Sequence, residues 1–345
     1  MRTESTRALG LAAGGLLCLL AVPPVPASSA DRAGSPEPGG LWSHDNLVAW
    51  CAVPFDARAR GPEERARMLE ELGFRMFAYD WREKDVPTFD AELDALQRHR
   101  VELLAWWFPF DAGDPAAART LEVFRRHNAH PQLWVALQDR EPALPPGAEA
   151  MAPEERHQLS IRLMGQGFPK TAQEQELRVR RAGDRINALV KMAAPYGCRV
   201  ELYNHNGWFG MMDNQVAVIE YLRGLGVGDV GIVYNFSHAR DAIHDDTADF
   251  PAIWGRIKPY VVAINVTGTH QDGDLIYPSQ GDRELGMMRT IQDSGWRGPV
   301  GLIAEKGGDA RVTLRNYMAG LDWLAAELRR PGSGGARPFP VLPRG

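Results

Sequence analysis

Eight short apolar runs alternate with amphipathic helical stretches along this chain, and this alternation most restricts its fold. The first run begins at Leu47 and the last ends at Ala304. Repeated strand–helix units build parallel sheets, and eight such units close into a barrel. No Gly-x-Gly-x-x-Gly pattern follows a strand, so there is little support for a dinucleotide fold or a nucleotide cofactor. The sequence therefore predicts an α/β fold, a single (β/α)8 TIM barrel.

Both kinds of element can be placed from hydrophobic periodicity. The strands are predicted at residues 47–52, 74–79, 101–107, 132–137, 198–203, 229–234, 260–266 and 299–304. The helices are predicted at residues 62–72, 87–99, 115–129, 172–194, 213–225, 248–257, 281–294 and 310–327.

One long connection, residues 139–170, separates the fourth strand from its helix and is rich in Pro, Gly and Ala. Loops longer than about 15 residues in a compact domain are usually functional or disordered. On a barrel this connection would emerge on the catalytic face. We therefore predict a substrate lid, with a disordered insert as the alternative.

The N-terminus has the features of a secretory signal peptide. Arg2 and Arg7 precede an apolar stretch over residues 8–22, and small residues suited to cleavage end at Ala30. The apolar stretch is short for a membrane span, which needs about 20 residues. We predict a signal peptide (1–30), a linker (31–44), a barrel (45–328) and a flexible tail (329–345), in a periplasmic or extracellular protein with no stable membrane span. An uncleaved anchor and a lipoprotein are the alternatives.

Composition and cysteine content limit the class of partner. The chain has 44% hydrophobic and 24% charged residues, and its formal net charge of -5 gives no electrostatic footprint for nucleic acid. Once the signal is removed, Cys51 and Cys198 remain, without the spacing of a zinc site. They are predicted to be buried free thiols, and a disulfide between them stays open.

Polar and aromatic residues collect where the predicted strands end. In the segment 199–210, side chains alternate with period 2, so Glu201, Tyr203 and His205 share one face. Aromatic faces cover the apolar side of a sugar ring, while amides and carboxylates bond its hydroxyls. The strand ends thus predict a small neutral carbohydrate ligand. The predicted contact residues are Asp80, Trp107, Asp139, Asn204, Trp208, Asn235 and Asn265.

At these residues the chain resembles the xylose-isomerase-like barrel superfamily, often called sugar phosphate isomerase/epimerase, over about residues 45–327. Members carry Glu-Asn-His after strand five, Asp-x-x-His after strand six and Glu after strand eight, and four of these residues bind a divalent metal. Here the runs are Tyr203-Asn204-His205 and Asn235-x-x-His238, with Glu305 after strand eight. The resemblance implies that His238 and Glu305 keep their ligand types.

The other two metal ligands of the superfamily are replaced by Tyr203 and Asn235. Losing two anionic ligands removes most of the charge that holds a divalent cation. We therefore predict weak or absent binding of manganese, zinc or magnesium.

The resemblance implies chemistry that removes a proton next to a carbonyl. We predict an exported carbohydrate-active enzyme, a sugar or keto-sugar isomerase or epimerase, in which His205 or Glu305 is the base. Tyr203 and His238 would donate to the developing enolate oxygen. A keto-glycoside lyase or hydratase on the same scaffold is one alternative, and a catalytically silent sugar-binding barrel is the other.

Overall fold

Eight parallel strands close into one barrel in chain order, which confirms the predicted fold. The computed structural model describes residues 39–137, 143–205, 207–240, 243–270 and 275–341. The last strand pairs with the first, so the sheet has no free edge. The strands are β1 (Leu47–Trp50), β2 (Met76–Tyr79), β3 (Glu102–Trp107), β4 (Gln132–Val135), β5 (Arg199–Tyr203), β6 (Gly231–Asn235), β7 (Val261–Asn265) and β8 (Val300–Ile303).

The described residues form nine α-helices, eight of which match the predicted ones. They are α1 (Pro62–Leu72), α2 (Phe89–Arg98), α3 (Pro115–His127), α4 (Pro153–Gly165), α5 (Ala172–Ala193), α6 (Met212–Gly224), α7 (Phe250–Ile257), α8 (Glu284–Asp293) and α9 (Ala310–Arg329). Local signals set several starts. Asp114 and Asp309 cap α3 and α9, and Thr171 forms a capping box with Glu174 at α5.

Helix α4 is a correction to the predicted long loop. It lies inside the connection 139–170 and begins with Pro153 in its first turn, where the missing N–H costs nothing. Pro and Gly residues flank it on both sides, so its short helical pattern was not recognised in the sequence. The connection therefore carries an element of its own, while its role as a lid stays a prediction.

Adjacent residues of β3 show how the barrel divides its side chains. Trp106 stacks on Tyr79 with ring centroids 4.3 Å apart and packs against Phe124 of α3, in the layer between strands and helices. Trp107, one residue later, contacts Tyr203 inside the barrel at 5.1 Å. This period-2 alternation carries inward-facing residues up to the carboxyl ends of the strands.

Both predicted ends of the barrel need adjustment. Leu41 and Trp42 are buried, and the Trp42 indole donates to Gln292 of α8, so the packed domain starts before residue 45. After α9, residues 331–341 lie against the barrel. The predicted signal peptide and residues 31–38 of the linker lie outside the described residues. No helix within the described ranges is both long enough and apolar enough to cross a bilayer.

Candidate active site

Amide side chains link the ends of three neighbouring strands around Tyr203. The Asn235 Nδ2 donates to the Tyr203 hydroxyl over 2.7 Å, and the Asn265 Nδ2 donates to the Asn235 Oδ1 over 2.9 Å. Ser237 donates to the same Oδ1 through its backbone N–H and its hydroxyl. Burial raises the pKa of Tyr203 well above its ordinary value. The hydroxyl thus keeps its proton and accepts from Asn235, which leaves that proton for another acceptor.

Two imidazoles stand beside Tyr203 at the ends of β5 and β6. The ring centroids of His205 and His238 are 4.7 Å apart, and that of His238 is 5.4 Å from the Tyr203 ring. Burial lowers the pKa of His205 to about 4, and the charge of His157 on α4 adds to this. Burial and the neighbouring His205 lower the pKa of His238 well below its ordinary value. Both rings are therefore neutral near pH 7, and each offers one N–H donor and one acceptor.

Two carboxyl groups occupy the other side of the barrel mouth. Asp80 follows β2, and Glu305 follows β8, with β1 between them. Burial raises the pKa of Asp80 to about 8, although the charge of Arg82 and the Val53 N–H oppose this. Burial also raises the pKa of Glu305, again against Arg82. Near pH 7, then, Asp80 holds a proton and Glu305 is more basic than an ordinary carboxylate.

Cys51 lies between these carboxyl groups, and its place in the site was not predicted from the sequence. Its backbone has φ of +53°, a left-handed conformation that is uncommon for a residue with a side chain. Burial raises the pKa of its thiol well above the ordinary value, and the charges of Asp80 and Glu305 raise it further. Its position directly after an apolar run was the available signal, since Asp80 and Glu305 stand at the same kind of position.

The two cysteines are both free, as predicted. Cys51 follows β1 at the carboxyl end of the strands, whereas Cys198 precedes β5 at the opposite end. A disulfide between them is therefore ruled out by the topology of the barrel.

Four aromatic rings form the floor of the mouth. Trp50 and Trp134 have centroids 4.4 Å apart, and the rings of Trp134 and Tyr203 are nearly parallel, with an interplanar angle of 3°. Trp107 contacts Trp50, Trp134 and Tyr203 and is the partly exposed member of the group. Of the four, Trp107 thus offers its surface to a ligand.

Asn204 and Trp208, predicted as sugar contacts, have other partners in the structure. The Asn204 side chain bonds the backbone N–H and C=O of Asn235, at 2.7 and 3.1 Å, and so joins β5 to β6. Trp208 is buried, donates to Gln175 of α5 and lies beneath the guanidinium of Arg178. Both side chains therefore have hydrogen-bond partners within the protein, and their contact with a sugar stays a prediction.

The remaining predicted contacts fall into two classes. Asp80 and Asn265 each present a buried oxygen, Oδ2 and Oδ1, without a hydrogen-bond partner within the described ranges. A buried polar atom without a partner costs free energy, so these two oxygens have acceptor capacity that the described residues do not use. Asp139 lies outside the described residues.

The donor set at the mouth does not fit a divalent metal. The Asn235 Oδ1 already accepts three hydrogen bonds, and Tyr203 is held in its neutral form. Of the four positions that match the superfamily's metal ligands, only His238 and Glu305 carry a metal-ligating side chain. Among all described residues, no group of three or more His, Cys, Asp or Glu side chains could hold a metal ion. Divalent ions need about four to eight ligands, so two are too few.

Solved structures with the same fold include metal-bound proteins and an epimerase-like protein. The chain is similar to the IolI protein with a bound zinc atom, at TM-score 0.54 and 13% identity over 82% of this chain and 99% of that one. It is similar to a xylose isomerase-like TIM barrel protein from Mycobacterium smegmatis in complex with magnesium, at 0.53 and 15%, over 84% and 98%. A D-tagatose 3-epimerase-like protein matches at 0.52 and 11%, over 82% and 98%.

These matches show that the chain has the xylose isomerase-like TIM-barrel fold, as the strand-end residues predicted. No protein-family model and no curated protein sequence matches the chain. Identities of 11 to 15% establish the fold alone, and chemistry has to be argued from the site.

Proposed function

We propose that this protein is an exported isomerase or epimerase that moves a proton next to the carbonyl of a neutral sugar or keto-sugar. One observation carries the proposal: carboxyl groups and imidazoles face each other across the barrel mouth, above an aromatic floor. Asp80 and Glu305 stand on the β2 and β8 side, and His205 and His238 on the β5 and β6 side. Epimerisation needs a base and a second proton-transfer group around one substrate carbon, and isomerisation needs a base together with a donor to the carbonyl oxygen.

The electrostatics support a different role for each group. Glu305 is the base, because burial makes its carboxylate more basic while it remains partly exposed to the mouth. The Tyr203 hydroxyl donates to the developing enolate oxygen, with the neutral ring of His238 beside it as a second donor. Asp80 holds a proton near neutral pH and donates it to the enolate, and exchange with solvent then removes the proton that Glu305 took and restores the one on Asp80. His205, neutral and beside His238, is the alternative base on the opposite side.

The same residues favour an uncharged substrate. The Glu305 carboxylate would repel a phosphate, and Arg82 is the cation whose charge acts on both carboxyl groups of the mouth. The free oxygens of Asp80 and Asn265 suit hydroxyl groups, and the partly exposed ring of Trp107 suits the apolar face of a sugar. Export, predicted from the N-terminal sequence, also supports an uncharged sugar.

Helix α4 supports the idea that the connection after β4 acts as a lid. A Cβ at Gly165, at the end of α4, would come within 3.2 Å of Ile243 in the loop after β6, so the two segments are in close contact. His157 on the same helix affects the pKa of both site imidazoles. We propose that this segment excludes water from the mouth when a sugar binds.

Proton exchange with solvent tests the proposal whichever product the reaction gives. D-Tagatose, D-fructose and D-xylose would each be incubated with the protein in D2O, and the carbon-bound protons followed by NMR. The expected result is deuterium at the carbon next to the carbonyl. Glu305→Gln should lower the exchange rate by about 10²-fold, the usual scale for a positioned acid or base. Asp213→Asn, a change of an exposed acid on α6, is the matched control and should exchange like the parent protein.

Three other outcomes would redirect the proposal. Exchange accompanied by loss of a hydroxyl or glycosidic group would favour the keto-glycoside lyase or hydratase. Binding of these sugars without exchange would favour a catalytically silent barrel. Equal exchange by the parent protein and Glu305→Gln would remove Glu305 from the mechanism.

A further inference from the structure

We infer that the C-terminal segment 331–341 is a positioning element of the candidate active site, which holds the end of β8 and with it Glu305. The inference rests on the proposed function, because it gives Glu305 the role of base. The segment was predicted to be a flexible tail without a part in chemistry. Its contacts instead run in an unbroken chain from α9 to the residue next to Glu305.

The first part of the segment is held against α9 by hydrogen bonds and a cation–π contact. Backbone N–H groups of Gly332 and Gly334 donate to the Glu327 carboxylate, each over 2.8 Å. The Trp323 indole donates to the Gly335 carbonyl, and the Arg337 guanidinium lies 4.4 Å from the Trp323 ring centroid. These contacts give residues 332–337 a defined path along the last helix.

The same segment then reaches the loop between β7 and α8. Arg337 donates to the Ser279 carbonyl over 3.0 Å. Phe339 stacks on Tyr277, with ring centroids 4.8 Å apart and an interplanar angle of 25°. Tyr277 also makes an edge-to-face contact with Tyr317 of α9, with ring centroids 5.1 Å apart. Tyr277 is thus fixed between the tail and the last helix.

Tyr277 in turn holds the residue that follows Glu305. The Lys306 ammonium lies 5.0 Å from the Tyr277 ring centroid and donates to the Leu275 carbonyl. These two contacts hold the Lys306 side chain against the β7–α8 loop. Because Glu305 is the preceding residue, they also restrict the backbone that carries the Glu305 carboxyl group. Catalytic groups lose rate when their supporting contacts let them move by about 1 Å. Phe339 therefore acts on Glu305 through Tyr277 and Lys306.

Three variants test the inference: Phe339→Ala removes the stacked ring, Phe339→Tyr keeps it, and Val341→Ala changes an exposed neighbour as a control. Hydrogen exchange of residues 303–308 and carbodiimide labelling of Glu305 against pH, both read by mass spectrometry, report on Glu305 without any substrate. An aromatic pair is strong enough to slow local opening by about three- to tenfold. Phe339→Ala should therefore speed exchange at 303–308 by that factor and shift the pH at which Glu305 is labelled.

The expected pattern is a change in Phe339→Ala, recovery in Phe339→Tyr and none in Val341→Ala, with an unchanged unfolding midpoint for α9 and the barrel. Unchanged exchange and labelling in Phe339→Ala would overturn the inference, whatever the activity. Equal changes in Phe339→Ala and Val341→Ala would also overturn it, because the effect would then come from general loosening of the tail. If labelling changes but no variant catalyses proton exchange, the positioning contact stands and the proposed function fails.

Discussion

Asp80→Asn should stabilise the protein at alkaline pH, although it removes a proposed catalytic group. Asp80 is 2% exposed, its Oδ2 has no partner among the described residues, and its Oδ1 accepts a long bond of 3.4 Å from the Val53 N–H. An asparagine keeps that acceptor and carries no charge. The substitution therefore removes the free-energy cost of burying a charged carboxylate, and it breaks few favourable contacts.

The magnitude follows from the pKa of Asp80, which rises from 3.8 to about 8 on folding. Below pH 3.8 both states are protonated, and the carboxyl has no effect on stability. Between pH 3.8 and about 8 only the unfolded state ionises, so wild-type stability falls as pH rises. At about 1.4 kcal/mol per pH unit, the upper limit above pH 8 is about 6 kcal/mol. Water entering the mouth reduces this, and we expect about 3 kcal/mol at pH 9.

Urea unfolding at pH 5, 7 and 9 measures the effect, and Asp56→Asn is the matched control. Asp56 is also buried, but its carboxylate is paired with Arg60 at 2.8 Å and accepts from the Ala310 N–H. Asp56→Asn removes this ion pair and weakens the bonds that the carboxylate accepts, while Arg60 keeps Asp309 as its second partner, so the variant should lose about 1–3 kcal/mol at pH 7. If Asp80→Asn were destabilising at pH 9 as well, Asp80 would be a satisfied structural carboxylate and our assignment of it as an acid would be wrong.

Four further predictions concern the site and its cover. Gln at either Glu305 or His205 should lower turnover by about 10²-fold with the fold intact, whereas unfolding of both variants would make these residues structural. Elemental analysis after dialysis should find well below one manganese, zinc or magnesium per chain, and about one per chain would show that the residues of the mouth do hold a divalent metal. Burial raises the pKa of Glu201 to about 7, so Glu201→Gln should raise the unfolding free energy by about 1–3 kcal/mol at pH 9 and leave it unchanged at pH 4. Hydrogen exchange over residues 143–170 should slow when a bound sugar closes the lid, and an unchanged rate at saturation would argue against a lid.

The barrel could be predicted because its strands can be recognised from their apolar composition, without knowing the contacts of individual side chains. Parallel strands covered on both faces are near-continuous apolar runs, and β6 and β8 are of this kind. The elements that were not predicted have no strong hydrophobic periodicity of their own. Helix α4 lies between Pro- and Gly-rich stretches, and Leu41 and Trp42 are two apolar residues at the end of a polar linker.

The candidate site was predictable as a set of positions. Carboxyl ends of parallel strands converge on one mouth, so Asp80, Tyr203, Asn235 and Glu305 could be grouped from the sequence. The partner of each group could not be read in the same way. Nothing in the sequence separates an asparagine bonded to a neighbouring backbone, as Asn204 is, from one bonded to a tyrosine hydroxyl.

Asn235 shows why such partners decide the chemistry. Taken alone, the change from aspartate to asparagine at a usual metal position weakens a cation site by one charge. In the structure the amide does more, because its Oδ1 accepts from Asn265 and Ser237 while its Nδ2 donates to Tyr203. An aspartate could accept the same bonds but could not donate to the tyrosine. In the proposed mechanism the amide thus leaves the Tyr203 hydroxyl proton for the enolate oxygen.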